Sequence, residues 1–400
     1  AAAALLVGLV TAAPLLFFDP DELNLVLNLG YRDVGYYALL ATVLGTVVGW
    51  ALSLAALLLG GRTIGRRAWA ASAILSVVGL ALVYALIGQT GWHGERLFVI
   101  LRDQANIGSA VVIDDPVERR AVVYDLLTHH AETTQADLRA TLDRFGVTYK
   151  PYYLVNGLEV NGGPLWRWWL SRRPEVDRVL VSPEVRPLPV PPPLPFDEPN
   201  IPVPPALLWS QTLIRAPQVW NRLGITGAGI VVGQNDSGAD VTHLELRDNY
   251  RGNTANGPAG DDYNWLDPWN GTATPTDFSG HGTHTLATAV GANVGVAPGA
   301  TWIACVNLAR NLGNPPRYLD CFQFLLAPFP QGGDPFEDGR PDLGAHVINN
   351  SWGCPPQEGC DVDALWPAAR ALRAAGVFVV AAAGNNGPTC SSIDGPLAIY

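Results

Sequence analysis

The chain has 400 residues, of which 48% are hydrophobic and 15% charged, and its formal net charge is −11. This length allows two or three domains. The acidic balance and a single lysine, Lys150, argue against nucleic acid as a partner.

The first ninety residues predict membrane-spanning helices. Segments 36–60 and 68–88 contain no charged residue, and each is long enough as a helix to cross about 30 Å of hydrocarbon. Residues 1–18 are also uncharged, and we interpret them as part of another span, with a cleaved secretory signal as the alternative. Because the chain contains no methionine, we expect it to be a piece of a longer protein.

The arginines predict how these spans are oriented. The loop 61–67 carries three arginines, whereas 19–35 is mainly acidic. Positively charged loops remain in the cytoplasm, so the loop 61–67 is expected there. Everything after Gln89 is then expected outside the cytoplasm, which makes this a multi-pass membrane protein with an external C-terminal part.

Residues 95–185 predict a separate α+β unit. Period-two and continuous apolar runs indicate strands, and amphipathic patterns indicate helices. The predicted strands are Leu97–Leu101, Val176–Val181 and a hairpin over Tyr152–Val160 that turns at Asn156-Gly157; the predicted helices are 116–130, 135–145 (capped by Thr133 or Thr134) and 165–170. The segment 186–206 follows with ten prolines, which predicts an extended, exposed linker.

Residues 207–400 predict a parallel α/β domain with polar residues at its strand ends. The apolar runs 229–233 and 377–383 are typical of buried strands, and Asp236 and Asn385 follow them. Open α/β sheets build their sites at this end of the strands. His281 begins a helical pattern over 281–293. An acid, a base and an amide in this order fit an acyl-transfer protease, which needs a base, an orienting acid and donors to the oxyanion.

The motifs around these residues resemble those of the subtilisin-like serine proteases. They are Asp236-Ser237-Gly238, His281-Gly282-Thr283-His284, Ala383-Gly384-Asn385 and Asn349-Asn350-Ser351-Trp352-Gly353-Cys354. The resemblance covers residues 95–400 and is nearest to the bacillopeptidase F-like branch. It implies that Asp236 and His281 belong to the catalytic triad, that Asn385 lines the oxyanion hole, and that Ser351, Trp352 and Gly353 line the peptide substrate.

The same resemblance implies the fold and the state of the protein. Residues 207–400 would be a C-terminally incomplete, parallel-sheet subtilisin-like domain, with the nucleophilic serine beyond Tyr400. Residues 95–185 resemble a subtilisin propeptide, which assists folding and then blocks the cleft with its C-terminal tail; a sensory domain is the alternative. The function that follows is a membrane-anchored zymogen, with cleavage in 186–206 releasing the enzyme. The main alternative is a catalytically dead pseudoprotease that serves as a binding or scaffolding module.

Two features leave other interpretations open. Gln234 and Asn235 stand before Asp236, where the family usually has apolar residues. His281 and His284 have helical spacing and could form half of a zinc site, although no matching ligand pair follows. We expect the chemistry to require no cofactor, and the sequence does not indicate whether structural calcium is bound.

The five cysteines fit a location outside the cytoplasm. Cys354 and Cys360 bracket a loop suited to a disulfide, and Cys305 and Cys321 could pair across a strand-to-helix connection. Cys390 has no evident partner.

Overall fold

The structure is a computed structural model that describes residues 95–185, 208–255, 257–393 and 396–398, with isolated positions between 19 and 82. The predicted spans 1–18, 36–60 and 68–88 fall mostly outside these residues, and the linker 186–206 falls wholly outside them. In the part that is described, no helix is both long and apolar enough to span a bilayer. The contacts divide the chain into two units, Ala1–Glu95 and Arg96–Tyr400.

The first part of the second unit is an antiparallel sheet with two helices. Its elements are β1 (Arg96–Leu101), a short 3₁₀ turn (Gly108–Ala110), α1 (Pro116–Arg144), β2 (Tyr149–Tyr152), β3 (Gly157–Asn161), α2 (Gly163–Leu170) and β4 (Val176–Val181). The strand order is β2-β3-β1-β4, and all the pairs are antiparallel. The predicted strand Val176–Val181 is confirmed with the same bounds.

Helix α1 is one continuous helix, so the prediction of two helices separated near Thr133 was wrong. The hydroxyls of Thr133 and Thr134 donate 2.8 Å hydrogen bonds to the carbonyls of His129 and His130, one turn back in the same helix. A threonine that bonds in this way continues a helix instead of capping a new one. The true cap is Asp115, whose carboxylate accepts from two backbone N–H groups of the first turn.

The second part is a parallel sheet flanked by helices. Its elements are α3 (Trp209–Leu213), α4 (Ala216–Leu223), β5 (Val231–Asp236), β6 (Trp265–Leu266), α5 (His281–Val290), β7 (Thr301–Val306), α6 (Pro315–Leu326), β8 (Val347–Asn350), α7 (Trp366–Ala374) and β9 (Phe378–Ala381), with 3₁₀ turns at Arg251–Asn253, Pro341–Leu343, Pro356–Glu358 and Pro396–Ala398. The order β6-β7-β5-β8-β9 is parallel throughout, as predicted for this domain.

Helix α6 lies between the two sheets. Eleven of its 12 residues are buried, and Arg317 is the exception. Its apolar side chains belong to one core with strands of the parallel sheet and with Phe98, Ile100 and Tyr152 from the antiparallel sheet. A helix without a solvent-facing side must be covered from two directions, so the antiparallel sheet is packed against the parallel domain.

Both predicted disulfides are confirmed. Cys305 of β7 is bonded to Cys321 of α6 with their Cα atoms 5.3 Å apart, and Cys354 is bonded to Cys360 with a Cα separation of 5.6 Å. The first bond ties α6 to the parallel sheet, and the second closes the loop after β8. Cys390 is free and exposed.

Candidate active site

Asp236 is the last residue of β5 and is fully buried. The strand starts two residues later than the apolar run suggested and continues to Asp236 itself. Its backbone carbonyl accepts from the N–H of Asn307, which follows the neighbouring strand β7. One side-chain oxygen, Oδ1, accepts from the Ser237 N–H and from His281 Nδ1, each at 2.7 Å. The sheet therefore fixes both the position and the direction of this carboxylate.

His281 is the first residue of α5, and the turn before it is held by Asp277. The Asp277 carboxylate accepts from the N–H groups of Ser279, Gly280 and Thr283 at 2.8–3.0 Å, which satisfies donors that a helix N-terminus leaves free. Gly282 allows the helix to come close to β5, because a Cβ atom at this position would lie 2.1 Å from the carbonyl oxygen of Gly238. The glycine of the His-Gly-Thr-His motif is therefore a packing requirement of the Asp236–His281 pair.

The pair has the electrostatics of an orienting acid and a base. The hydrogen bond that His281 donates to the Asp236 carboxylate raises the pKa of His281 above its ordinary value, and partial burial opposes this effect. The side chain of His281 is 39% exposed, whereas that of Asp236 is 0% exposed. Since Nδ1 faces the carboxylate, Nε2 is the nitrogen left to exchange a proton with a reacting group.

Asn385 follows β9 and has an exposed side chain. Strands β9 and β8 are parallel, and β8 pairs with β5, so Asn385 and Asp236 follow their strands at the same edge of the sheet. The structure joins Asp236 to His281 by a hydrogen bond, whereas Asn385 is exposed. Its part in an oxyanion hole stays a prediction.

The segment Ser351-Trp352-Gly353 follows β8 directly. The indole of Trp352 is buried and stacks on Tyr318 with ring centroids 3.9 Å apart. Its Nε1 donates to the backbone carbonyl and the side-chain oxygen of Asn235, both at 3.0 Å. The Trp352 side chain is therefore a core residue that donates to the Asn235 side-chain oxygen, while the buried Asn235 amide nitrogen has no hydrogen-bond partner among the described residues. A role of this segment in lining substrate stays a prediction.

The structure assigns the two histidines of α5 different surroundings. His281 bonds to Asp236, whereas His284 is exposed. Over the described ranges, no group of three or more His, Cys, Asp or Glu side chains is arranged to hold a metal ion.

Three polar residues of the site were not identified in the sequence. Asp277 precedes His281 by four positions, and an Asp shortly before a helix is a recognisable capping signal. Gln234 and Thr285 approach the second oxygen of Asp236, at 3.4 and 3.2 Å. Nothing in the local pattern indicates Thr285, since it is one of several threonines in the helix.

Comparison with known proteins agrees with this geometry. A family model described as the subtilase family of peptidases, Peptidase S8, matches residues 227–398. Residues 227–398 belong to the subtilase family of serine-type peptidases. Bacillopeptidase F of Bacillus subtilis is 34% identical over 247 residues, which are 58% of this chain and 16% of that protein. Subtilisin-like protease 10 of Arthroderma otae is 36% identical over 163 residues, or 40% of this chain and 34% of that protein. The chain thus spans 16% and 34% of the lengths of these relatives.

Two solved structures are also similar to part of this chain. The epidermin leader peptide processing serine protease of Staphylococcus aureus has a TM-score of 0.44 at 13% identity, with 73% of this chain and 61% of that chain covered. Fervidolysin from Fervidobacterium pennivorans, a keratinolytic enzyme related to subtilisin, has a TM-score of 0.40 at 16% identity, covering 73% and 40%.

Proposed function

We propose that the protein is the membrane-anchored zymogen of a subtilisin-like serine endopeptidase that acts outside the cytoplasm. The observation that carries this proposal is the 2.7 Å contact between His281 Nδ1 and the buried Asp236, at the carboxyl end of a parallel strand. His281 takes the proton of a nucleophilic serine through Nε2 and returns it to the leaving amine, while Asp236 holds the ring. The Asn385 amide donates to the oxyanion, and the serine lies on chain beyond Tyr400.

The contacts of residues 95–185 support a propeptide role. The Asn314 amide, which caps α6, donates to the carbonyl of Pro183 at 2.8 Å. Three residues earlier, Asn311 accepts from the hydroxyl of Ser279, two positions before His281. Val185, near the end of the described tail, is buried at 2% exposure. The tail after β4 thus contacts a segment that reaches the turn carrying His281, which is where an inhibitory tail would approach the cleft.

The uncharged segments and the disulfides support the membrane anchor and the external location. Both cysteine pairs lie in the subtilase part of the chain, and disulfides persist mainly in oxidising compartments. On intact cells, an added protease should digest residues 208–398 of the full-length protein while the loop 61–67 stays protected. Protection of both regions would contradict the external location. The polypeptide substrates, the propeptide and the membrane are the partners that this function requires.

The test of the enzyme is His281→Ala in the full-length protein. Peptide hydrolysis should fall by about 10⁶-fold, the loss that subtilisin itself shows for its histidine. The precursor should also accumulate with residues 95–206 still joined to the subtilase domain, because self-cleavage needs the same base. His284→Ala is the matched control, since this exposed histidine is on the same helix.

Two results would contradict parts of this proposal. Cleavage of purified His281→Ala precursor at the wild-type rate would exclude self-processing and favour an outside protease. A wild-type protein that is folded, uncleaved and inactive on peptides would favour the pseudoprotease function, in which the fold serves as a binding or scaffolding module.

A further inference from the structure

Gln234 is a polar residue in the interior of the parallel sheet. It lies on β5 two residues before Asp236, it is fully buried, and its neighbours in the strand register are Asn349 on β8 and Ala304 on β7. Burying an amide is unfavourable unless its donors and acceptor are satisfied. The fold therefore tolerates a buried glutamine in this position only when its amide is hydrogen-bonded, and its partners decide what the side chain holds in place.

The hydrogen bonds of Gln234 are complete and directional. Its Oε1 accepts from the Asn349 amide at 2.9 Å, which fixes the orientation of the Gln234 amide and turns Nε2 towards Asp236. Nε2 then donates to Thr285 Oγ1 at 2.7 Å, with the Gly282 carbonyl at 3.3 Å and Asp236 Oδ2 at 3.4 Å. The Thr285 hydroxyl has one proton to donate; Asp236 Oδ2 lies 3.2 Å from it and the Gly282 carbonyl 3.1 Å.

The two oxygens of Asp236 therefore have separate partners. Oδ1 faces the Ser237 N–H and His281, whereas Oδ2 faces the hydroxyl of Thr285 and the amide of Gln234. Rotation of the carboxylate would break both sets of contacts together. Thr285 is one turn after His281 on α5, so the same contacts connect the strand of the acid to the helix of the base.

We propose that Gln234 is a positioning residue for the catalytic acid, which acts through Thr285 to keep Asp236 Oδ1 directed at His281. The proposal rests on the catalytic roles proposed above for Asp236 and His281. In this protein, hydrogen bonds from Gln234 and Thr285 hold the acid in place. Where apolar residues occupy this strand position, packing would have to do so. If the Asp236 carboxylate lost this orientation, the catalytic rate would fall although every group that touches substrate would be retained.

The same network extends to the segment after β8. The Asn349 amide donates to Gln234 Oε1 and also to Ser351 Oγ, each at 2.9 Å. Ser351 begins the segment that resembles the substrate-lining strand of the family. Hydrogen bonds thus connect the side chains that position Asp236 to the segment that would pair with a peptide.

The experiment compares four variants of the full-length protein. Gln234→Leu removes the amide at similar size, and Thr285→Val removes the hydroxyl at the same shape, so the second variant serves if the first fails to fold. Thr285→Ser retains the hydroxyl. Thr288→Val is the matched control, because the hydroxyl of Thr288 donates within α5 to the carbonyl of His284 at 2.9 Å.

We expect Gln234→Leu and Thr285→Val each to lower kcat about tenfold with KM within about twofold of the wild type, as expected for loss of one aligned hydrogen bond. The imidazole pKa of His281 should fall in both, measured by NMR on ¹⁵N-histidine-labelled protein with the His281→Ala spectrum as assignment. The acidic limb of the kcat/KM profile should move to lower pH in parallel. Thr285→Ser and Thr288→Val should retain the wild-type values.

Three results would overturn the proposal. The first is a lower melting temperature with an unchanged His281 pKa and kcat, which would make Gln234 a packing residue. The second is a rise in the His281 pKa, which would mean that the donors only compete for the charge of Asp236. The third is a loss in Thr285→Ser equal to that in Thr285→Val. If His281→Ala itself retained activity, the catalytic assignment would fail instead, so the two failures are distinguishable.

Discussion

The two β-sheets of the unit Arg96–Tyr400 bury their faces in different ways. The parallel sheet has a core with α5 on one face and a core with α6 and α7 on the other. The antiparallel sheet packs one face on its own α1 and α2, whereas side chains of its other face belong to the same core as α6. The parallel sheet is thus covered by its own helices, whereas the antiparallel sheet shares the core of its second face with α6 of the parallel part.

The junction between the two parts is also more ionic than either core. Asp320 of α6 lies 2.7 Å from Lys150 of β2, and Arg317 lies 3.1 Å from both Asp320 and Glu184. Interfaces between separable parts carry more polar contacts than domain cores. Under the propeptide role proposed above, the antiparallel part would be a cover that leaves after cleavage, and the parallel part would be the body that holds the chemistry.

The largest effect expected after that of His281→Ala concerns the parallel part and tests whether its sheet edge holds the chemistry. Asn385→Ala should lower kcat by about 10²–10³-fold with little change in KM, the size that loss of an oxyanion donor has in subtilisin itself. Steady-state kinetics on the full-length protein measure it. The control is Asn253→Ala, an exposed amide that bonds to the carbonyl of Arg247. An unchanged kcat would remove Asn385 from the mechanism.

The second effect concerns the two disulfides. Both lie in the parallel part, since residues 95–185 contain no cysteine. A Cys305→Ala/Cys321→Ala variant should lose about 3 kcal/mol of unfolding free energy, because a sequence separation of 16 closes the longer loop. A Cys354→Ala/Cys360→Ala variant, with a separation of 6, should lose about 2 kcal/mol. Urea unfolding gives both values. Cys390→Ala should change nothing, and a larger loss for the shorter loop would contradict this order.

A third effect tests how strongly the cover depends on the body. The buried Gln323 side chain of α6 accepts from the backbone N–H of Tyr153 at 2.8 Å and of Leu154 at 3.4 Å. Gln323→Leu leaves these donors without an acceptor and should weaken the junction by about 1–3 kcal/mol. Hydrogen exchange in β1–β4 should then accelerate more than exchange in β5 and β7.

The control for this junction variant is Gln331→Leu, whose exposed amide bonds to the carbonyl of Ala273 within the parallel part. Equal acceleration in all strands after Gln323→Leu would mean that the two parts unfold as one body. No acceleration would mean that the junction does not depend on this contact.

The smallest effect is the pH dependence of stability that Glu159 produces at the same junction. Burial raises the pKa of Glu159, and attraction to Arg317 opposes this rise; Asp320, Arg96 and Lys150 are the other charged groups near it. Above the ordinary glutamate pKa of about 4.3, the folded protein keeps a proton that the unfolded chain has lost. Stability from this group is therefore full below that pH and is lost as pH rises through the higher folded pKa.

Glu159→Gln should make the decline in melting temperature above that pH shallower than in the wild type. Scanning calorimetry at several pH values measures the slope. Glu118→Gln, an exposed carboxylate on α1, is the control. A steeper slope in Glu159→Gln would mean that the attraction of Arg317 outweighs burial.

The sequence alone determined the features that depend on neighbouring residues. Apolar runs that end in Asp236 or precede Asn385 predicted parallel strands with polar ends, and His281 was correctly placed at the start of a helix. Val176–Val181 was predicted with its true bounds. These features can be predicted from sequence because local periodicity indicates a buried strand, and glycine or capping residues indicate where a helix begins.

Tertiary structure decided the features that depend on distant partners. Gln234 and Asn349 are 115 positions apart, and Trp352 and Asn235 are 117 apart, yet each pair shares a hydrogen bond. Sequence patterns could mark Gln234 and Asn235 only as departures, because their hydrogen-bond partners come from β8, from α5 and from the segment after β8. The continuity of α1 was likewise hidden, since a threonine that caps and one that bonds one turn back look the same in sequence.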